Sequence, residues 1–573
     1  MNISKYPPLL ICKDKKGQDI TLNSDPLAEG NQRWFEDYFD YPRDFTEIYK
    51  QAKVISTGWT RKKPTDAVRV FDINILETLE QQIHSFWMQV LRDRTLVKTL
   101  VEKERPAHIS CKGLLPDAAN ISECRFDIGL FEYTLRDIAG KNKIPVEAAP
   151  QDQIAGPAIR QPGLRDIAGA FSARAKAGLR RAALPGNDIL LFSKQAKDKL
   201  GVNFLKAVCA AGLVPVCVEP GPSPDCLTVW DLSGPAVGTG ERLAAYNEVV
   251  NKLKSLPESA WSGQFTIDGC NYGPIARDVV HAVISRVLWS QINALLLCKK
   301  LFMAKKPLAL LVLYDHGINE APLVSLARNN RIQTITLQHG LVCRDVPGYL
   351  PICSDYFASW GRAEMETLVK QGADKEKIKV VGNPGFDCLM SANRDSESTN
   401  KPIKVLIATQ GVQSSVGWYH GLEATERIIR SLVNLSADPN KYTFTLRLHP
   451  NEALSAKGLE LAKANDIKIS KAVGLKEDFA NADVVAVQFS TVGVEAMLAG
   501  KPLVSFNWRT HNEIVPYAES GAAVFSNSPR NFLSAVDEAL GSLKERRSGI
   551  NGFLSAHLTD AQSAKRLLDL CIN

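Results

Sequence analysis

The sequence lacks any CxxC pair or tight group of cysteines, although it contains twelve of them in 573 residues. Close spacing is what marks a metal site or a redox motif, so this scatter argues against both. Several cysteines lie within apolar, strand-like runs, as Cys217 does in VPVCVEP. A thiol in such a run behaves as a small hydrophobic side chain. We therefore expect reduced cysteines in the protein core.

Glycine, proline and charge of one sign are not in excess either. Glycine and proline together make up about 12% of the chain, and the 45% hydrophobic and 23% charged fractions are ordinary for globular proteins. Disordered, collagen-like and low-complexity chains are thereby excluded, and the length corresponds to about three or four domains. The net charge of +7 favours anionic partners such as nucleotides, phosphorylated lipids or a membrane surface. It is too small to indicate a nucleic-acid partner.

No uninterrupted run of about 20 apolar residues is present, as a membrane span would require. The most apolar stretch, 279–313, is interrupted by Arg286 and Gln291, and lysines and Pro307 divide its two halves. We predict a buried helix followed by a buried strand. The N-terminus MNISKYPPLLICKDKKGQD places charges directly after a short apolar patch, without a basic n-region or a cleavage site. This pattern predicts a cytoplasmic protein.

Residues 1–186 show the weakest periodicity. An amphipathic helix is predicted from Ile75 to Glu104, where apolar residues recur at helical spacing. Segment 150–186 is rich in alanine, glycine, proline and basic residues, which indicates a domain boundary. Its basic part, 160–181, is interpreted as a solvated connector helix because its apolar face is mostly alanine. The alternative is a contact with an anionic membrane surface.

From residue 187 onward, strand-like runs alternate with helical segments, which is typical of parallel sheets covered on both faces. No repeat of 20–50 residues is visible, so a solenoid is not expected. We predict two successive α/β domains, 187–350 and 351–545, followed by a C-terminal helix in 546–573. The predicted strands are 187–193, 214–220, 307–315, 331–338, 401–410, 441–450, 466–470, 482–490 and 501–507.

Ligands of open α/β sheets bind beyond the carboxyl ends of the strands, so polar residues just after predicted strands are candidate site residues. In the second domain, Pro450 ends a strand and would hold His449 at its end. Ser490 and Thr491 follow another strand and precede a helix, whose amino end is suited to an anion. Glu495, one turn later, could accept hydrogen bonds from ribose hydroxyls. The alternatives are a histidine at a simple turn and an ordinary helix cap.

The first domain has two similar clusters. Gln338 and His339 end a strand before Gly340, and Asp315 and His316 follow a buried apolar strand. A carboxylate at such a position is a candidate general base or nucleophile. The alternatives are a pair satisfied within the core and an aspartate that caps a helix.

These motifs, in this order, resemble the two-domain GT-B glycosyltransferases that build bacterial surface polysaccharides, particularly those that use CMP-activated sugars such as Kdo. The HP of His449 and Pro450 resembles the family's nucleotide-binding motif, and STVGVEAMLAGKP resembles its phosphate-binding turn. QHG, then the WG of Trp360 and Gly361, and then VVGNPGFD (380–387) resemble the crossover between the domains. The resemblance covers about 200 residues, from 307 to 510.

Two other families look similar. Teichoic acid glycerophosphotransferases have an HP and a serine-rich turn in the same order and use CDP-glycerol. Non-hydrolysing UDP-N-acetylglucosamine epimerases share the architecture, but the long N-terminal extension favours a polymer-assembling transferase. A non-catalytic saccharide-binding protein that has kept the GT-B shell is a further alternative, because fold does not determine function.

The resemblance implies an α/β fold of two Rossmann-like domains in the GT-B arrangement, with a mixed N-terminal extension. It implies transfer of a sugar from a nucleotide donor, favoured to be CMP-Kdo or another CMP-ulosonate, to a growing capsule, lipopolysaccharide or related surface glycan. No DxD pair or metal-ligand spacing is present, so we expect metal-independent chemistry and no cofactor. The protein would act in the cytoplasm, with 160–181 as the candidate contact to the inner membrane.

The implied site residues fall into three groups. The predicted catalytic residues are Asp315, Glu320 and His339. The predicted nucleotide-binding residues are His449, Pro450, Ser490, Thr491, Glu495 and Gln410. The predicted acceptor-side residues are Asp268, His316 and Gln338, and Asp268 is included because Gly269 and Gly273 suggest a loop near a ligand.

Overall fold

The structure is a computed structural model that describes most of the chain from residue 9 to residue 573. The described residues are 9–13, 19–23, 33–34, 38–61, 64–112, 120–121, 124–125, 130–148, 186–219, 226–232, 238–342, 348–387, 402–410, 424–435, 437–450, 452–558 and 560–573. The basic segment 160–181, predicted to be a connector helix, lies outside them.

The N-terminal extension combines a small sheet with three helices. The order of the sheet is β3-β2-β1-β6-β9, with antiparallel pairs at β1-β2 and β1-β6. Its strands are β1 (Leu9–Lys13), β2 (Asp19–Asn23), β3 (Arg33–Trp34), β6 (His108–Lys112) and β9 (Val146–Ala148), and two-residue strands form the pairs β4 (Arg69–Val70) with β5 (Ile73–Asn74) and β7 (Asn120–Ile121) with β8 (Cys124–Arg125). The helices are α1 (Tyr41–Thr60), α2 (Glu80–Glu104) and α3 (Leu130–Lys141). The predicted helix from Ile75 thus begins later, because β5 and a 3₁₀ turn precede it.

The first α/β domain has a seven-stranded parallel sheet in the order β12-β11-β10-β15-β16-β17-β18. Its strands are β10 (Ile189–Phe192), β11 (Val214–Cys217), β12 (Leu227–Thr228), β15 (Ala309–Val312), β16 (Gln333–Leu337), β17 (Tyr356–Ser359) and β18 (Ile378–Val380), and a short hairpin joins β13 (Thr266–Ile267) to β14 (Cys270–Asn271). The predicted boundary at residue 350 is therefore too early, because β17 and β18 belong to this sheet. Its helices are α4 (Lys194–Ala210), α5 (Val229–Leu232), α6 (Thr239–Lys254), α7 (Gly273–Ala304), α8 (Ala321–Asn329) and α9 (Arg362–Lys370).

The second α/β domain has a six-stranded parallel sheet in the order β21-β20-β19-β22-β23-β24. Its strands are β19 (Ile403–Ala408), β20 (Tyr442–Arg447), β21 (Lys468–Ile469), β22 (Val484–Val487), β23 (Leu503–Phe506) and β24 (Val524–Ser526). Its helices are α10 (Thr425–Asn434), α11 (Ala456–Ala464), α12 (Leu475–Ala480), α13 (Val492–Leu498), α14 (Phe532–Gly541) and α15 (Leu543–His557). Two parallel sheets with helices between their strands confirm the predicted α/β fold class of two Rossmann-like domains.

The extension and the first α/β domain share one hydrophobic core. Phe86 and Trp87 of α2 pack in the same cluster as Phe265 and Val312, and all four are fully buried. Helix α7 is, within the described residues, the one helix long and apolar enough to cross a membrane, and 67% of its most apolar window is buried in the protein. It is followed by β15, as predicted for 279–313.

The C-terminal helix α16 (Ser563–Ile572) returns to the first domain. Leu567 and Cys571 pack in the core cluster of β10 and α4. Arg566 donates from Nε to the carbonyl oxygen of Val381 at 2.8 Å. The chain therefore crosses between the domains twice.

Candidate functional site

Three adjacent strands of the second domain end at the same level. In the sheet register, Ala408 of β19 lies beside both Arg447 of β20 and Val487 of β22. Two residues further along each strand come Gln410, His449 and Phe489. Because neighbouring strands are about 4.8 Å apart, the three positions lie side by side at the carboxyl edge. The predicted nucleotide-binding residues at the ends of β19, β20 and β22 are thus brought to one edge.

The turn at His449 is organised by Glu452. The Glu452 carboxylate accepts hydrogen bonds from the Thr409 hydroxyl at 2.5 Å, from the Thr425 hydroxyl and from the backbone N–H of His449 at 3.3 Å. Burial lowers the pKa of His449, which favours the neutral imidazole, and the Glu452 charge partly opposes this. Pro450 is exposed in the turn. Glu452 itself was missed by the sequence reasoning, although it lies only three residues after His449.

Two hydrogen bonds fix the turn at Ser490. The Ser490 hydroxyl accepts from the N–H of Val492 at 3.2 Å, and its carbonyl oxygen accepts from the Tyr517 hydroxyl at 2.7 Å. Thr491 occupies the position before α13 without forming a side-chain cap. A Cβ on Gly493 would lie only 2.7 Å from the Tyr517 ring, so glycine is needed there for this close packing. Because Thr491 forms no side-chain cap, its hydroxyl is not used to cap α13.

Glu495 lies one turn into α13 and faces the first domain. Burial raises the pKa of this carboxyl above its usual range, and the positive charge of Lys199 on α4 partly offsets the increase. Its Oε2 is buried without a hydrogen-bond partner in the described part of the chain, and the same holds for Oε1 of Gln410. Lys199 also lies 5.9 Å from the centre of the Trp360 ring. These unmatched acceptors are consistent with a ligand that donates hydrogen bonds.

A cavity of about 720 Å³ lies at the carboxyl edge of the first sheet. Residues from the ends of β15 and β16 line it, namely Tyr314, Asp315, His316 and His339, and so does Phe489 from the end of β22. Among the described residues that line this cavity, Phe489 is the one from the edge of the second sheet, and the lining does not include the predicted nucleotide-binding residues Gln410, His449, Pro450, Ser490, Thr491 and Glu495.

Asp315 is only 1% exposed, and both oxygens of its carboxylate have polar partners within the protein. One oxygen accepts from the backbone N–H groups of Cys353 and Ser354 at 2.7 and 2.9 Å, and the other lies 2.9 Å from Nδ1 of His316. Burial alone would raise the pKa of Asp315, but these hydrogen bonds and the adjacent imidazole hold it below its usual range. This geometry argues against the predicted role of Asp315 as base or nucleophile. The Asp315 carboxylate instead orients the His316 ring through Nδ1.

His339 lies beside this pair. Its ring packs 4.6 Å from Tyr314 and 5.0 Å from Tyr349, measured between ring centres. Burial, together with the charge of Lys199, lowers the pKa of His339 to about 4, so the imidazole is neutral near pH 7. Its Nδ1 is buried and has no hydrogen-bond partner among the residues that the structure describes. A neutral ring with an unmatched nitrogen can accept a hydrogen bond from a ligand.

Three predicted site residues point elsewhere. The Gln338 side chain accepts from the N–H of Trp360 at 2.7 Å and donates to the carbonyl of Gly340 at 2.8 Å, so it braces the chain inside the protein. The Glu320 carboxylate accepts from the Ser193 hydroxyl and from two backbone N–H groups at 3.1 and 2.7 Å. Asp268 pairs with Arg94 and Lys98 at 2.9 and 2.6 Å in the β13–β14 hairpin. None of the three lines the described cavity, so their predicted catalytic and acceptor-side roles are not supported.

The sequence reasoning missed one side of the cavity altogether. Helices α1 and α2 of the N-terminal extension contribute Tyr49, Lys53, Glu80 and His84 to its lining. A histidine within the apolar pattern of α2 is the only local signal, and it is ambiguous. These contacts join segments more than 200 residues apart, which periodicity cannot reveal.

No family model matches the chain, and no curated protein matches it in sequence. Similar solved structures include the S. aureus MnaA–UDP complex, with 14% identity and a TM-score of 0.41 over 68% of this chain and 98% of that chain. UDP-GlcNAc 2-epimerase of Methanocaldococcus jannaschii has 13% identity and a TM-score of 0.38, covering 67% and 99%. The wall teichoic acid polymerase TagF has 13% identity and a TM-score of 0.38, covering 71% and 95%. At such low identities and scores, none of these similarities bears on the substrate or the reaction of this chain.

Proposed function

We propose that the protein is a transferase that moves a sugar from a nucleotide donor to a surface-glycan acceptor. The observation that supports this most directly is that polar residues follow the strand ends of both parallel sheets, while Phe489 from the second sheet reaches the cavity at the edge of the first. Gln410, His449 and Ser490 lie at one sheet edge, and the Asp315–His316 pair lies at the other. The first cluster is suited to the donor nucleotide, and the second to deprotonation of the acceptor.

Sugar transfer develops negative charge on the leaving phosphate and positive charge at the sugar. Donors that could stabilise the phosphate are the His449 ring and the hydroxyls of Ser490 and Thr491. His316 would accept the proton of the attacking hydroxyl through Nε2, while Asp315 stabilises the imidazolium that forms. Metal-independent transfer remains our prediction, since these protein groups can supply the needed charge stabilisation.

For the donor we propose CMP-Kdo or another CMP-ulosonate, and for the acceptor a growing capsule, lipopolysaccharide or related surface glycan. The HP and STVGVEAMLAGKP motifs support this choice by their resemblance to such transferases. Transfer of glycerol phosphate from CDP-glycerol is the second proposal, since the glycerophosphotransferases that catalyse it contain motifs similar to those of this chain. Both donors carry cytidine, so the number of phosphates, one in a CMP-ulosonate and two in CDP-glycerol, distinguishes the two.

Thermal unfolding with CMP, CDP and UDP tests the donor site. A ligand at 100 times its Kd should add about 2.7 kcal/mol to the unfolding free energy. We expect one pyrimidine nucleotide to raise the Tm, and His449→Ala and Ser490→Ala to remove that shift. Ser534→Ala, an exposed serine on α14, is the matched control and should keep it. Failure of all three nucleotides at millimolar concentration would contradict the proposal and favour a non-catalytic saccharide-binding protein.

A further inference from the structure

Two helices of the N-terminal extension present regular stripes to the cavity. On α1, Phe45, Tyr49 and Lys53 line it, and on α2, Glu80, His84 and Met88 do so. Each set has the spacing i, i+4, i+8, which places its members on one face of a helix. The extension therefore forms a wall of this cavity, which we call the extension wall.

The extension wall is held in place by an ion-pair cluster. The Glu80 carboxylate accepts from Nζ of Lys53 at 2.5 Å, from the Thr57 hydroxyl at 2.9 Å and from Nη2 of Arg61 at 3.1 Å. Burial would raise the pKa of Glu80, but the charges of Lys53 and Arg61 hold it below its usual range. Arg61 also lies 3.6 Å from Glu77. The cations of the wall are thus balanced by carboxylates, and the wall offers no excess charge to an ionic ligand.

Aromatic rings dominate the remaining surface on both sides. Tyr49 and His84 pack edge to face with ring centres 4.6 Å apart. Across from them, Tyr314 packs against His316 at 4.7 Å and against His339 at 4.6 Å. Burial lowers the pKa of His84 to about 4, which keeps this ring uncharged near pH 7. Apolar ring faces beside a few polar atoms suit a ligand with both C–H faces and hydroxyls.

We propose that Tyr49 and His84 form a subsite for a neutral saccharide ring of the acceptor, opposite the Asp315–His316 pair. This inference rests on the proposed transferase function and names a part of its acceptor site. The extension would then determine the acceptor specificity, while the second α/β domain binds the donor. Sugar rings present C–H faces to aromatic side chains and hydroxyls to the polar atoms between them, which matches this lining.

An array of defined mono- to tetrasaccharides, probed with the full-length protein at saturating CMP, CDP or UDP, tests the subsite. We expect the wild type to bind at least one saccharide of the array. The Tyr49→Leu and His84→Leu variants should bind that saccharide at least tenfold more weakly. Tyr49→Phe keeps the ring and should keep most of the binding. Val54→Ala changes a side chain of α1 that is 74% exposed, and it should leave binding unchanged.

The nucleotide-dependent Tm shift of the same variants separates the two hypotheses. A retained shift together with lost saccharide binding supports the subsite and shows that the variant is folded. Unchanged saccharide binding in both leucine variants would overturn the subsite, and so would a wild type that binds nucleotide but no saccharide. Saccharide binding by a wild type that shows no nucleotide shift would overturn the transferase proposal alone.

Discussion

Asp315 and His316 show how neighbouring side chains divide one task. Both side chains line the cavity, but Asp315 is buried and accepts hydrogen bonds from two backbone amides, which favour its charged form, whereas the His316 side chain is 13% exposed. A carboxylate that fixes one imidazole nitrogen prepares the other nitrogen to accept a proton.

We predict that His316→Gln lowers turnover about a hundredfold or more, since general-base catalysis contributes on that order. The nucleotide-induced Tm shift should persist, because this residue lies on the acceptor side. Steady-state kinetics with CMP-Kdo as the donor provide the measurement. A variant with wild-type turnover would show that His316 is not the base.

Glu320 gives a prediction for pH dependence. Burial raises its pKa from 4.5 to about 7, although hydrogen bonds from Ser193 and two backbone amides favour the charged form. The folded state therefore holds this proton between those pH values while the unfolded state has lost it. The stabilising contribution is complete below pH 4.5 and is lost as pH rises toward 7.

Relative to wild type, Glu320→Gln should gain stability as pH rises from 4.5 to 7, by up to about 3 kcal/mol, and then stay level. Urea unfolding at several pH values measures the difference, with the exposed Glu366→Gln as the control for loss of a carboxylate. A difference that does not change with pH would contradict the assignment.

At the scale of elements, α15 contains two glycines, one at a position with no room for a side chain and one at a position with open space. A Cβ on Gly549 would lie 2.4 Å from the backbone of Gly521, so this residue permits a close approach of helix and loop. Gly552, one turn further, would place a Cβ in open space.

Gly549→Ala should therefore destabilise the protein by about 1–3 kcal/mol, because the backbone must move apart. Gly552→Ala should stabilise it by about 0.5–1 kcal/mol, because alanine has the better helix propensity. Thermal unfolding of the matched pair measures both. Equal effects would mean that the helix does not contact Gly521 as described.

At the scale of the whole molecule, α16 ties the end of the chain to the first α/β domain. Leu567 is fully buried in the core of that domain, whereas Ile572 on the same helix is 48% exposed. We predict that Leu567→Ala costs about 2–5 kcal/mol of unfolding free energy, the usual cost of such a cavity, and that Ile572→Ala costs little. Chemical denaturation measures both, and similar values would contradict this packing.

The strand ends that carry the candidate site were predictable because their signal is local. A buried apolar run that ends in polar residues indicates the carboxyl end of a strand, and this rule located Asp315, His316, His339, His449 and Ser490. It could not tell which of these side chains turns inward. Gln338 also follows a strand and Glu320 directly precedes α8, but their side chains form hydrogen bonds with Trp360, 22 residues away, and with Ser193, 127 residues away.

The sequence by itself determined the alternation of strands and helices and the places where strands end, because both depend on neighbouring residues. Only the tertiary structure decided that β17 and β18 join the first sheet, that the Asp315 carboxylate lies against the His316 ring, and that α1 and α2 line the cavity. Strand order and hydrogen-bond partners are chosen among distant segments. The local pattern of apolar and polar residues carries no information on that choice.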